Sequence, residues 1–124
     1  MDKWVYLIAG GIAGTLLRYT VVAATLERMG PAFPYGTLIV NLLGCFLIGV
    51  FEVCAEKHLN LSPQIRLLAM AGFCGALTTF SSFILDAHHL IKTGDTLKAF
   101  GYVVGSVALG FIVFRLGLLA GEIF

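Results

Sequence analysis

GFCGALTTFSSF, running from Gly72 to Phe83, is the stretch on which the fold turns. It lies within a long apolar region, yet it combines Gly72 and Gly75 with tandem Thr78–Thr79, tandem Ser81–Ser82 and the pair Phe80 and Phe83. An ordinary membrane-spanning helix would carry Leu, Ile and Val at most of those positions. Glycines beside neighbouring hydroxyls are the ingredients of an interrupted helix. Its freed carbonyls and amides survive at membrane depth only where protein or a water-filled cavity shields them from lipid. The remainder of the chain is accordingly read as the scaffold that shields and orients this interruption.

The composition sets the surroundings. With 124 residues, 59% of them hydrophobic and 12% charged, and a mean hydropathy of +0.96, the chain cannot enclose its apolar surface in a polar shell. It reads as an all-α membrane protein forming one domain over residues 1–124. A span needs roughly 20 mostly apolar residues. The few charges separate four such runs, at about residues 4–26, 36–56, 64–91 with a break near 75–79, and 97–123. The first run follows only Met1, Asp2 and Lys3 and has no small-residue cleavage site, so it reads as a retained helix. A net charge of +1 provides no basic face for nucleic acid. Cys45, Cys54 and Cys74 lie in apolar runs without metal-ligand spacing and read as small hydrophobes. With no base-oriented nucleophile and no ligand cluster, the chain does not read as an enzyme.

In the first span, Trp4 and Tyr6 suit an interfacial belt, and Gly10 and Gly14 have the spacing that lets two membrane helices approach closely. Arg18 is the anomaly, because a cation inside a span costs from about 3 kcal/mol upward unless it snorkels, pairs or caps carbonyls. It reads either as an anion-attracting vestibule or interface lock, or as a side chain snorkelling from the helix end. Glu27 to Pro34, with two prolines and a glycine, is a turn. In the second span Thr37, Asn41, Cys45, Ile48 and Glu52 share a helical face. Asn41 there either makes an interhelical hydrogen bond or aims two N–H donors at a passing anion.

Lys57 to Pro63 is a polar turn, and Ser62 followed by Pro63 is a helix start. The third span is too long for a simple crossing, and beyond its break Phe80 and Phe83 point to nearly the same side, with Asp86 continuing that side. Asp86, His88 and His89 read as a solvated helix end or, alternatively, a proton relay. The fourth span carries Gly101/Gly105 and Gly117/Gly121 at the close-packing spacing, with Tyr102, Ser106 and Gly110 on one row.

Four helices would place both termini and the second loop on one side, with Lys3, Lys57 and Arg66 there and Arg28, Lys92 and Lys98 opposite. Assigning Arg18 and Arg115 to their nearest ends keeps the count even, so the charge bias that orients membrane proteins is missing. Such a chain inserts both ways, and two copies can pack antiparallel about an axis in the membrane plane.

The polar inventory inside the membrane is Asn41, Thr78, Thr79, Ser81, Ser82, Tyr102 and Ser106, plus Arg18. Almost all are uncharged donors. An anion path has to replace water with donors close together without creating a trap too deep to leave. The positive edges of Phe80 and Phe83 suit the same task, with plain apolar packing as the other reading of the pair.

GGIAGTLLRY at Gly10 to Tyr19, GTLIVNLLGCFLIG at Gly36 to Gly49 and GFCGALTTFSSF together resemble the Fluc (CrcB-type) fluoride channel family over essentially the whole chain. The resemblance implies a multi-pass protein of the bacterial plasma (inner) membrane, working as an antiparallel, dual-topology homodimer. Two pores would export fluoride from the cytoplasm down its electrochemical gradient, and a structural sodium ion would sit at the dimer centre. By resemblance Phe80 and Phe83 match the pore phenylalanines, and Asn41 the pore asparagine. Tyr102 and Ser106 match a polar track that Thr37 joins, with Thr79, Ser81 and Ser82 at the same depth. Gly75 and Thr78 carbonyls match the sodium site, and Arg18 the family arginine. Gly110 departs from members with a hydroxyl there. The competing reading is a proton-coupled transporter of the small multidrug-resistance kind, which needs a carboxylate in the first span. None stands between Trp4 and Leu26.

Overall fold

The computed structural model describes residues 2–57 and 61–123, which are helical almost throughout. Helix α1 covers Asp2–Met29, α2 covers Tyr35–Lys57 and α6 covers Thr96–Ile123. Between α2 and α6 the third span, Pro63–Lys92, is assembled from four pieces. These are α3 (Pro63–Arg66), a π-helical segment (Leu67–Cys74), α4 (Gly75–Leu77) and α5 (Phe80–Lys92). Among the described residues, four helical units are long and apolar enough to cross a bilayer, and the chain is a multi-pass membrane protein. Each extends past its expected ends by at most three residues. Of the turn expected at Lys57 to Pro63, residues 58–60 lie outside the described set.

The ends of the helices follow from local chemistry. Gly30 stops α1 by adopting φ +79°, where a side chain would be strained, and two prolines follow it. Gly94 at φ +88° makes the turn from α5 to α6. Helix α3 starts where Ser62 Oγ accepts the Ile65 N–H at 3.2 Å, with Pro63 at the first helical position.

Close backbone contacts at glycines hold the spans together. A Cβ on Gly10 would strike the Leu68 carbonyl and lie 2.9 Å from Phe73 N, and one on Gly14 would strike the Phe73 carbonyl. Gly72 returns the contact, since its Cβ would sit 3.1 Å from Gly10 Cα. A further contact joins α2 to α6. A Cβ on Gly117 would strike the Phe46 carbonyl, and one on Gly49 would come within 2.5 Å of the Phe114 carbonyl. Lipid supplies no hydrophobic drive between spans, so close van der Waals packing of small residues takes its place. Gly121 belongs to this same seam, since a Cβ there would lie 2.9 Å from Val53 Cβ. Gly101 and Gly105, expected to pack in the same way, have nothing within 4 Å, because they lie on a face of α6 that this chain leaves uncovered.

Phe83, Ala87 and Leu90 of α5 close the core against Ala99 and Tyr102 of α6. Lys57 and Glu122 pair at 2.8 Å across the ends of α2 and α6.

Gly117→Ala is therefore expected to destabilise the protein by about 1–3 kcal/mol through overpacking. Gly11→Ala, which faces open space, should be neutral or add up to about 1 kcal/mol of helix propensity. Thermal unfolding of the two variants in detergent checks the contrast.

Candidate functional site

Thr78 and Thr79 leave the helical region together, at φ −88°, ψ 155° and φ −148°, ψ 122°. The break expected over Gly75 to Thr79 is thus narrower, for Gly75 keeps helical angles of −62° and −35°. Two β-branched residues disfavour the helix, and the Thr79 side chain offers a substitute bond. Its Oγ1 accepts the Ser82 N–H at 3.2 Å and caps α5.

The redirected amides determine which carbonyls are released. In an unbroken helix the Thr79 N–H would bond to the Gly75 carbonyl, and the Ser82 N–H to the Thr78 carbonyl. Here the Thr79 N–H donates instead to Asn41 Oδ1 at 2.8 Å, and the Ser82 N–H to Thr79 Oγ1. Gly75 and Thr78 are thereby left with carbonyl oxygens outside the helical ladder. Of the carbonyls between them, that of Ala76 accepts the Arg18 Nε–H at 2.9 Å. Arg18 resolves its own anomaly in this way: of the routes open to a membrane cation, it caps a carbonyl of the interrupted span.

Asn41 completes the arrangement. Its Nδ2 donates back to the Thr79 carbonyl at 3.2 Å, so one carboxamide pairs both polar groups of a single backbone residue. The interhelical role is thus the one observed, and one N–H of the amide is committed to it. Gly44, one turn further along α2, makes room, because a Cβ there would strike Thr78 Cγ2.

On the open side of the break lies a groove of about 390 Å³, lined by Asn41, Gly75, Thr78, Thr79, Phe80, Phe83 and Ser106 among others, none of them charged. Ser106 Oγ is buried there with no hydrogen-bond partner among the described residues. Cys74 is buried and Cys45 half-buried in the same wall. The two rings are 6.0 Å apart but differ in setting. Phe83 is 7% exposed whereas Phe80 is 75% exposed, so the expected common side divides into an inner and an outer ring. Ser81 is exposed and Ser82 half-buried, and neither lines the groove.

A second cavity, of about 510 Å³, opens at the end formed by the α1–α2 and α5–α6 turns and is lined by Phe33, Thr37, Asp86, His89, Asp95 and Lys98 among others. Thr37 is buried, at 5% exposure, and Asp86 accepts the Tyr102 hydroxyl at 3.1 Å. Asp86, read from the sequence as part of a solvated helix end or a proton relay, is half-buried and lines this open cavity, bordering the buried stripe of Phe83, Ala87 and Leu90.

Asn41→Ala would leave the Thr79 N–H unpaired, at about 1–3 kcal/mol, and strip the Thr79 carbonyl of its second donor. The expected outcome is a lower unfolding temperature together with faster hydrogen exchange at the Thr79 amide, read by mass spectrometry. Asn41→Asp, which keeps only the acceptor, should lie between the two.

Comparison with known proteins bears on this geometry. The profile of the family described as CrcB-like protein, Camphor Resistance (CrcB), matches residues 5–118. A protein of Rhizobium leguminosarum bv. trifolii named fluoride-specific ion channel FluC is 49% identical over 118 residues, covering 95% of this chain and 94% of the relative. Proteins of the same name from Hydrogenobaculum sp. and Acidobacterium capsulatum are each 41% identical. The first covers 98% of both chains, and the second covers 97% of this chain and 96% of the relative.

Proposed function

This chain belongs to the CrcB-like family, and from that premise we propose that it is a fluoride-selective channel, not an enzyme, exporting fluoride across the bacterial plasma membrane. The groove beside the broken span carries the reading. Its polar lining, Asn41, Thr78, Thr79 and Ser106, is uncharged and lies at the depth of the interruption. Neutral donors replace water around an anion without holding it so tightly that it cannot leave. Ser106, whose hydroxyl has no other partner among the described residues, is the donor best placed to do so. Phenyl edges at Phe80 and Phe83 favour an anion over a cation.

The open groove and the outward Phe80 ring support a second copy as the missing wall. The evenly divided charges favour an antiparallel homodimer, in which two symmetry-related grooves become two pores. Fluoride would then leave the cell with the inside-negative potential.

The released Gly75 and Thr78 carbonyls are hard oxygen donors at the open face, and they suit a sodium ion shared between the two copies. Such an ion would neutralise the carbonyl dipoles and join the subunits without being transported. Replacing sodium by a large organic cation is expected to weaken the dimer on size-exclusion chromatography. Fluoride flux in vesicles should not follow an imposed sodium gradient.

Liposomes loaded with fluoride and read by a fluoride electrode test the function itself. The wild-type chain should release the load rapidly. Phe80→Ile and Phe83→Ile should each bring release close to the protein-free background while the dimer persists; wild-type release from both variants would remove the aromatic role.

A further inference from the structure

The two cavities are successive chambers on the same three helices. On α2, Thr37 lines the outer cavity and Asn41, four residues on, the groove. On α5, Asp86 lines the outer cavity and Phe83, three residues back, the groove. What separates them is Tyr102. It lines neither chamber, is 2% exposed, and has its ring between Phe33 of the outer cavity at 5.4 Å and Phe83 of the groove at 5.1 Å. Ser106 follows it by four residues on α6, inside the groove.

The hydroxyl of this partition donates to Asp86, on the outer side. A phenol has one proton to donate. An anion crossing between the chambers beside Tyr102 finds that donor already engaged by a carboxylate.

We propose that Asp86 is a positioning residue that competes with the permeating anion for the Tyr102 hydroxyl, holding the partition shut and keeping the anion's stay at Tyr102 short. The inference rests on the channel reading above and deepens it. A charge-assisted bond from tyrosine to carboxylate is stronger than one to a neutral amide. Asp86→Asn keeps the acceptor oxygen and the shape but weakens the hold, so the anion wins the donor more often. His89, Asp95 and Lys98 line the same outer cavity. Their field acts on every variant alike, so it cannot produce an effect that depends on the Tyr102 hydroxyl.

The test is fluoride efflux from liposomes as a function of fluoride concentration for wild type, Asp86→Asn, Tyr102→Phe and the double variant. Asp86→Asn is expected to lower the half-saturating fluoride concentration by about threefold or more, as its weaker bond releases the donor. In the Tyr102→Phe background the same substitution should change nothing, because no hydroxyl remains to contest. An equal effect in both backgrounds would mean that Asp86 acts by charge alone and would overturn the proposal, as would an unchanged concentration dependence in the single variant. Asp86→Glu, still a charged acceptor, should behave like wild type, and a shift as large as that of Asn would also overturn it. Wild-type protein without any fluoride efflux would remove the channel reading, and the inference with it; efflux by wild type with an inert Asp86→Asn would remove the inference alone.

Discussion

The structure depends on one carboxamide pairing with one backbone residue. A bilayer tolerates an irregular backbone only where its polar groups find partners inside the protein. Thr79 is the most exposed to that constraint, since its amide leaves the helical pattern while its carbonyl opens the next helix. Asn41 meets both at 2.8 and 3.2 Å, acting as a peptide group would in a neighbouring strand. Ser or Thr could offer only a hydroxyl, and Asp only acceptors. The rest follows from holding α2 at the right distance. Gly44 lets Thr78 approach, and the glycine seam of Gly49, Gly117 and Gly121 fixes α2 against α6. Arg18 then secures the other side of the interruption from α1.

The arrangement separates two jobs that the sequence alone merges. The side of the break facing α1 is closed by close backbone contact and by a cation on a carbonyl. The side facing away is left as an uncharged groove. An intramembrane arginine thus serves the interruption without placing its charge among the groove's lining residues.

Much of this was legible in the chain. The four spans stand out because lipid demands long apolar runs, and the sparse charges mark their ends. The interruption was legible because tandem threonines contradict the run around them, and Thr79 with Ser82 has the spacing of a cap. What remained hidden were choices of partner. Asn41 has the same chemistry whether it faces an ion or a backbone amide, and only the position of Thr79 decides. The spacing of Gly101 and Gly105 equals that of Gly117 and Gly121, yet only the latter pair has a neighbour in this chain. A small-residue stripe states that approach is possible, not on which face a helix stands. Asp86 shows the same limit: its place near a helix end agrees with its lining the outer cavity, but the Tyr102 hydroxyl that it accepts comes from another helix and has no mark in the local sequence.

The π-helical segment ahead of the break carries a consequence for how this architecture tolerates length change. Eight residues, Leu67–Cys74, run with a wider turn than the α-helical pieces on either side. One residue added to or removed from an α-helix rotates everything beyond it by roughly 100°. The wide turn therefore acts as a phase adjuster, bringing Gly72 against α1 while directing Thr79 at α2. Angular bearing is encoded here by how many residues precede the threonines as much as by which ones, so indels in this stretch re-aim the interruption where substitutions would only reshape it.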